Sequence, residues 1–184
     1  MKRAILIAMT VLVAAAALTV RADAKQSLTV LLAGGAEESQ IVIALSADGR
    51  SYVIDSIVPL EVGGDVCAHP EGQPNELICE AVPIGGFEVN AGAGDDSVTV
   101  AREVPVPVTL RGGPGADRLV GGGAGDKLTG GPDDDVLIGW GGADSLFGGP
   151  GDDRLVGCGG NDLLRGGSGT DALLGGSGRN VLAQ

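Results

Sequence analysis

Between Gly112 and Ala183 an aspartate recurs at every ninth residue: Asp117, Asp126, Asp135, Asp144, Asp153, Asp162 and Asp171, with Asn180 ending the series. A glycine-rich stretch precedes each of them, and a leucine follows two residues later, from Leu119 to Leu182. Carboxylates stacked one strand spacing apart, about 4.8 Å, repel one another unless a cation lies between them. Carboxylate and turn-carbonyl oxygens are hard donors, which suit Ca2+ better than zinc or copper.

Other chemistries have little to work with. The single histidine, His69, lies among Pro70 and Glu71 in a polar loop with no GxSxG-type nucleophile pattern. One histidine is also too few for a catalytic zinc site. The acid pairs Glu37-Glu38 and Asp95-Asp96 sit in turn-like segments with no aromatic sugar platform around them. The sequence therefore reads as a binding module, not an enzyme. The competing reading, a polysaccharide-acting enzyme or accessory domain on a β-helix scaffold, needs a cleft of acids and bases among residues 25–111. That stretch holds only Lys25, Arg50, Arg102 and Arg111 as basic groups.

Eight nonapeptides fill residues 112–183 without remainder: GGPGADRLV, GGGAGDKLT, GGPDDDVLI, GWGGADSLF, GGPGDDRLV, GCGGNDLLR, GGSGTDALL and GGSGRNVLA. Position one is always Gly, position six is Asp in seven copies, and position eight is always Leu. Glycine reaches left-handed backbone at no steric cost, so the first half of each unit is a tight turn. The second half is a three-residue strand whose Leu points inward. One unit cannot bury its leucine alone, but a stack of units can.

At these residues the chain resembles the haemolysin-type, or repeats-in-toxin (RTX), calcium-binding nonapeptide GGxGxDxUx. The resemblance implies an all-β fold, a parallel β-roll or β-helix solenoid with two nonapeptides per turn and Ca2+ between stacked turns on each side. It assigns side-chain ligands to the seven aspartates, and backbone ligands to turns containing Gly112, Gly115, Gly130, Gly148, Gly151, Gly166 and Gly169. A ninth copy, Ala91 to Thr99, adds Asp96. Proteins with such repeats often carry a large toxin, protease or lipase domain and a C-terminal secretion segment. Here neither is seen, and the expectation is general export followed by folding in calcium-rich surroundings.

The two edges of such a roll are expected to differ. One stacks Asp117, Asp135, Asp153 and Asp171. The other stacks Asp126, Asp144, Asp162 and Asn180, has Trp140 and Cys158 at position two and Ala124 at position four, and ends on a neutral ligand. Three gaps per edge would hold at most six ions. The ninth positions Val120, Ile138, Val156 and Leu174 form an outward aliphatic stripe.

Upstream, residues 27–33, 40–46, 50–55, 57–62, 76–82 and 86–90 carry β patterns, with Ala47-Asp48-Gly49 as a hairpin turn. Val100 to Arg111 read as a longer strand around Pro105 and Pro107. Gly34 to Val42 resembles an eroded copy with Ser39 in the Asp position. Residues 25–111 are therefore either degenerate rungs capping the roll or a small separate β domain. The first is preferred because solenoids need atypical ends.

Lys2, Arg3, the apolar stretch Ala4 to Val20 and the small-x-small Ala22-Asp23-Ala24 make residues 1–24 a secretory signal peptide. Its removal takes away three basic groups and one acid, shifting the net charge from −12 to −14. So acidic a protein is expected in the extracellular space, with calcium ions and cell-surface or matrix components as partners. Nucleic acid and membrane insertion after removal of the leader are excluded. Export permits a disulfide between Cys67 and Cys79, which flank the polar loop, leaving Cys158 unpaired.

Overall fold

Short runs of β-branched residues and leucine, broken by glycine turns, build strands throughout. The computed structural model describes residues 17–22, 27–33, 38–47, 49, 51–56, 60–63, 67–68, 70–73, 75–80 and 85–184, and among these it contains no helix. Residues 1–16 and 23–24 of the expected leader, Gly34 to Glu37 of the eroded copy, Asp48 and His69 lie outside the described residues.

The strands are β1 (Ala17–Ala22), β2 (Ser27–Ala33), β3 (Gln40–Leu45), β4 (Ser51–Ser56), β5 (Leu60–Gly63), β6 (Cys67–Ala68), β7 (Glu76–Glu80), β8 (Gly86–Asn90) and β9 (Ser97–Val100). They continue as β10 (Val108–Arg111), β11 (Arg118–Val120), β12 (Lys127–Thr129), β13 (Val136–Gly141), β14 (Ser145–Pro150), β15 (Arg154–Gly159), β16 (Leu163–Ser168), β17 (Ala172–Leu174) and β18 (Val181–Ala183). One nine-stranded sheet runs β18-β16-β14-β12-β10-β8-β2-β1-β5, and the other runs β17-β15-β13-β11-β9-β3-β4-β7-β6. From β8 onward the chain alternates between the sheets, and every strand pairs in parallel with the strand one full turn away. This is a parallel β-solenoid, the β-roll that the nonapeptides imply.

The roll begins before the nonapeptides. β2 pairs in parallel with β8, and β3 pairs in parallel with β9, so they form a rung of their own. Between that rung and the next, β4, β7 and β6 extend the second sheet by antiparallel pairing, while β5 pairs in parallel with β1 at the end of the first. The β3–β4 hairpin turns at Gly49, whose φ is 70°, as the Ala47-Asp48-Gly49 motif suggests. Ala17–Ala22, within the expected leader, lie between β2 and β5.

Two details depart from the sequence-based expectations. Val100 to Arg111 is not one strand: residues 101–107 form a turn segment, in which the Val104 N–H donates to the Ala101 carbonyl (3.0 Å), between β9 and β10. Pro105 and Pro107 have no N–H to give a ladder, which stops the strand there. In addition, β13 to β16 each run six residues instead of three. Backbone pairing continues into the following turn, where Trp140 faces Cys158 and Gly149 faces Gly167.

The eighteen-residue rung puts like residues on like. Val98, Leu119, Leu137, Leu155 and Leu173 line up across one sheet, and Val89, Leu110, Leu128, Leu146, Leu164 and Leu182 across the other. The core grades along the axis. Its N-terminal end holds Ile41, Ile43, Ile54 and a Tyr52–Phe87 edge-to-face pair with ring centroids 5.0 Å apart. Its middle is leucine alone, and at the far end Leu182 is 50% exposed. Leu137→Ala should therefore cost about 3 kcal/mol and Leu182→Ala under about 1 kcal/mol, read as the change in urea denaturation in calcium-containing buffer.

Candidate metal centre

Turns that alternate between the two sides of the roll give it two edges. On the first edge stand Ser39, Asp96, Asp117, Asp135, Asp153 and Asp171, and on the second Asp126, Asp144, Asp162 and Asn180. Strand register fixes each carboxylate in the same way. The Asp117 N–H donates to Asp135 Oδ1 (2.8 Å), the Asp135 N–H to Asp153 Oδ1 (2.9 Å) and the Asp153 N–H to Asp171 Oδ1 (3.0 Å). Above them the Asp96 N–H donates to Asp117 Oδ1 (2.9 Å), and the Ser39 N–H to Asp96 Oδ1 (2.8 Å). Ser39, the eroded position, thus tops this edge. On the second edge the Asp126 N–H donates to Asp144 Oδ1 (2.8 Å), the Asp144 N–H to Asp162 Oδ1 (3.0 Å) and the Asp162 N–H to Asn180 Oδ1 (2.9 Å).

One oxygen of each carboxylate is used in this way, and the other is left over. Among the described residues, Oδ2 of Asp96, Asp117, Asp135, Asp153 and Asp171 on the first edge is buried without a hydrogen-bond partner. So is Oδ2 of Asp144 and Asp162 on the second. A buried carboxylate oxygen with nothing to accept from is costly, and a row of them is an arrangement that a cation would satisfy.

The surroundings of Oδ2 fit a hard cation. Within the array of 112–183 each orphaned Oδ2 faces the position-one glycine of its own repeat; the Ala91–Thr99 copy has Ala91 at that position. A β-carbon on Gly112, Gly130, Gly139, Gly148, Gly157 or Gly166 would collide with Oδ2 of Asp117, Asp135, Asp144, Asp153, Asp162 or Asp171. Backbone oxygens converge on the same cradle: the carbonyls of Gly130, Gly166 and Gly175 lie 2.8, 2.7 and 2.7 Å from where the β-carbons of Gly112, Gly148 and Gly157 would be. Position-four glycines Gly115, Gly151 and Gly169 have φ of 125°, 145° and 138°, and each packs against a backbone carbonyl of the turn above. No three His, Cys, Asp or Glu side chains converge among the described residues. The donor set is one carboxylate per turn supplemented by carbonyls, a pattern suited to Ca2+.

Burial also sets the protonation of these groups. It pushes Asp117, Asp135 and Asp144 up to about 7, with neighbouring carboxylates adding to the rise and the backbone N–H bonds opposing it. Asp96 and Asp153 are raised for the same leading reason. Asp126 rises only to about 6, because two backbone N–H groups, of Val108 and Gly122, favour its charged form.

Positions two and four are left-handed along the array, and the exceptions are instructive. Trp140 and Cys158 adopt φ of 74° and 75°, and Asp133 adopts 85°. The second repeat, with Ala124 at position four, carries no such strain: neither Gly122 nor Ala124 is left-handed. The second repeat escapes the penalty by adopting a different turn.

Two features were not anticipated from the sequence. The Arg102 guanidinium lies over the Trp140 ring, 3.6 Å from its centroid. A second, outer row also ties the turns together: Asp95, Asp134 and Asp152 accept N–H bonds from Ala116 (2.9 Å), Asp152 (2.7 Å) and Thr170 (2.7 Å). Asx residues at position five are the signal that could have revealed it.

The RTX calcium-binding nonapeptide repeat family model matches the chain in overlapping segments at residues 111–146, 121–155 and 147–182. No curated protein and no solved structure matches. Binding calcium is a general property of these repeats, and the match falls on the turns that carry the orphaned carboxylate oxygens. Residues 111–182 are an array of RTX calcium-binding nonapeptide repeats.

Proposed function

We propose that this protein is exported and that its repeat array folds on Ca2+ to form an extracellular structural or adhesive module without enzymatic activity. The observation that carries the reading is the row of buried, partnerless Oδ2 atoms, which calcium would satisfy together with turn carbonyls. Ten aspartates against five basic residues in 112–184 make the metal-free array self-repelling. Metal binding then contributes folding free energy directly. Support for export comes from the leader-like residues 1–24 and from the cysteines. For an adhesive surface, the support is the row Ile138, Val156 and Leu174, which lies in register across the second sheet and runs from half-buried to exposed at Leu174, beside exposed Arg154; Val120, expected in the same outward stripe, is buried and does not contribute.

Circular dichroism during a calcium titration tests the main claim. Chelation should abolish most of the β signal of residues 112–184, and roughly 0.1–1 mM Ca2+, the range of extracellular sites, should restore it. A chelated sample with unchanged spectrum and melting temperature overturns it.

The pH dependence has a definite sign. Between the unfolded carboxylate value near 3.9 and the folded values of about 7, the metal-free fold binds more protons than the unfolded chain. Its stability therefore falls as pH rises through that window. Calcium needs the deprotonated groups, so its affinity moves the other way. We expect at least about tenfold weaker calcium binding at pH 6 than at pH 8, and proton release on adding calcium at pH 7. Calorimetric titration in buffers of different ionisation enthalpy measures both.

We further propose a Cys67–Cys79 disulfide. The two residues are directly opposite in the antiparallel β6–β7 pair, and Cys79 is buried. Cross-strand neighbours lie at a separation a disulfide can span. Non-reducing peptide mapping should yield the Cys67–Cys79 peptide, and a peptide linking either residue to Cys158 would overturn the pairing.

A further inference from the structure

The edges differ most at the ends of the second one. Asp126 is the one array aspartate whose Oδ2 is absent from the orphaned set: it accepts the Gly122 N–H (2.7 Å), while Oδ1 accepts the Val108 N–H (2.9 Å). Both oxygens are taken by the chain. At the other end, Asn180 accepts the Asp162 N–H through Oδ1 (2.9 Å) and donates through Nδ2 to the Gly176 carbonyl (3.2 Å). Each closure is made with a backbone group four residues earlier in the same turn.

The head closure has a structural cause. Above the second repeat lies the 101–107 segment instead of a glycine turn. Gly122 packs near the Ala101 and Val104 carbonyls, and Gly123 against that of Arg102. Against this neighbour the second repeat gives up the left-handed conformation that the rest of the array uses at positions two and four, and the Gly122 N–H comes to point at Asp126. The Arg102 side chain then reaches across this turn to stack on Trp140 of the next one. That contact joins the segment above the turn to the repeat below it.

We propose that the second edge is closed by the chain itself at both ends, so that of its four polar positions only Asp144 and Asp162 take metal. The five orphaned oxygens of the first edge then face two on the second. The inference rests on the calcium reading but narrows it, because it removes Asp126 from the ligands that the repeat pattern alone assigns.

Crystals of the calcium-loaded wild-type protein decide the question by anomalous scattering. We expect ions bonded to Asp144 and Asp162, none bonded to Asp126, and the Gly122–Asp126 hydrogen bond retained. Equilibrium dialysis at saturating calcium gives an independent count. Asp126→Asn should bind as many ions as wild type, and Asp144→Asn fewer. An ion on Asp126, or a lower count in Asp126→Asn with Asp126 bonded to metal in the wild-type crystal, overturns the proposal alone. A wild-type chain that binds no calcium overturns the calcium reading itself.

Discussion

Each inward aspartate has two oxygens, and the strand register uses only one of them. Because Oδ1 accepts the N–H of the residue one turn above, the carboxylate cannot rotate away, and Oδ2 is held in a cradle too small for a β-carbon. The glycine at position one follows from that geometry, as does the upward shift of Asp117, Asp135 and Asp144. A backbone ladder that fixes half of a carboxylate makes the other half a site for a cation or a proton.

The apolar side of the roll cannot easily compensate for that charge. Between the sheets the array contributes one leucine per nonapeptide, giving a core one side chain wide. Bulkier residues are concentrated where the antiparallel strands β4 and β7 meet the first rungs, with Tyr52, Ile54 and Phe87 buried together. Burial then thins out toward β17 and β18, where Leu174, Val181 and Leu182 are exposed. Solenoids depend on atypical end units to cover their terminal rungs. Here the bulky cluster of Tyr52, Ile54 and Phe87 packs at one end of the ladder, and at the other Leu182 is half exposed.

Much of this was legible in the sequence because the period itself encodes register. Three columns, Gly at one, Asp at six and Leu at eight, give the turn, the inward carboxylate and the core, and the structure places like on like at eighteen residues. At Ser39, which stands where an aspartate would in that pattern, the backbone N–H donates to Asp96 as the array aspartates donate to their neighbours. What the sequence did not reveal depends on what lies above a given turn. Ala124 looks strained in its own repeat and is relaxed in the fold, because its neighbour is the 101–107 segment. Arg102 and Trp140 are 38 positions apart, and no periodic pattern places a guanidinium on an indole. The six-residue strands arise from pairing between turns, which a reading of one nonapeptide at a time cannot see.

The inequality of the edges follows from a single insertion. From Asp117 onward successive ladder residues are eighteen apart, but Asp96 and Asp117 are separated by twenty-one. The three extra residues belong to Val100–Arg111, a twelve-residue stretch where a nonapeptide would have nine. The strands cannot absorb them without flipping side chains between faces, so β9 and β10 keep their register and the surplus goes into the turn between them. That turn lies on the second edge. The first edge passes from the Ala91–Thr99 copy into the array with its glycine turns intact, and its carboxylates continue upward to Asp96. The second edge meets a proline-bearing turn with no aspartate, and Asp126 takes its hydrogen bonds from Val108 and Gly122 instead. One over-long connection thus ends the carboxylate ladder on one edge while leaving it unbroken on the other.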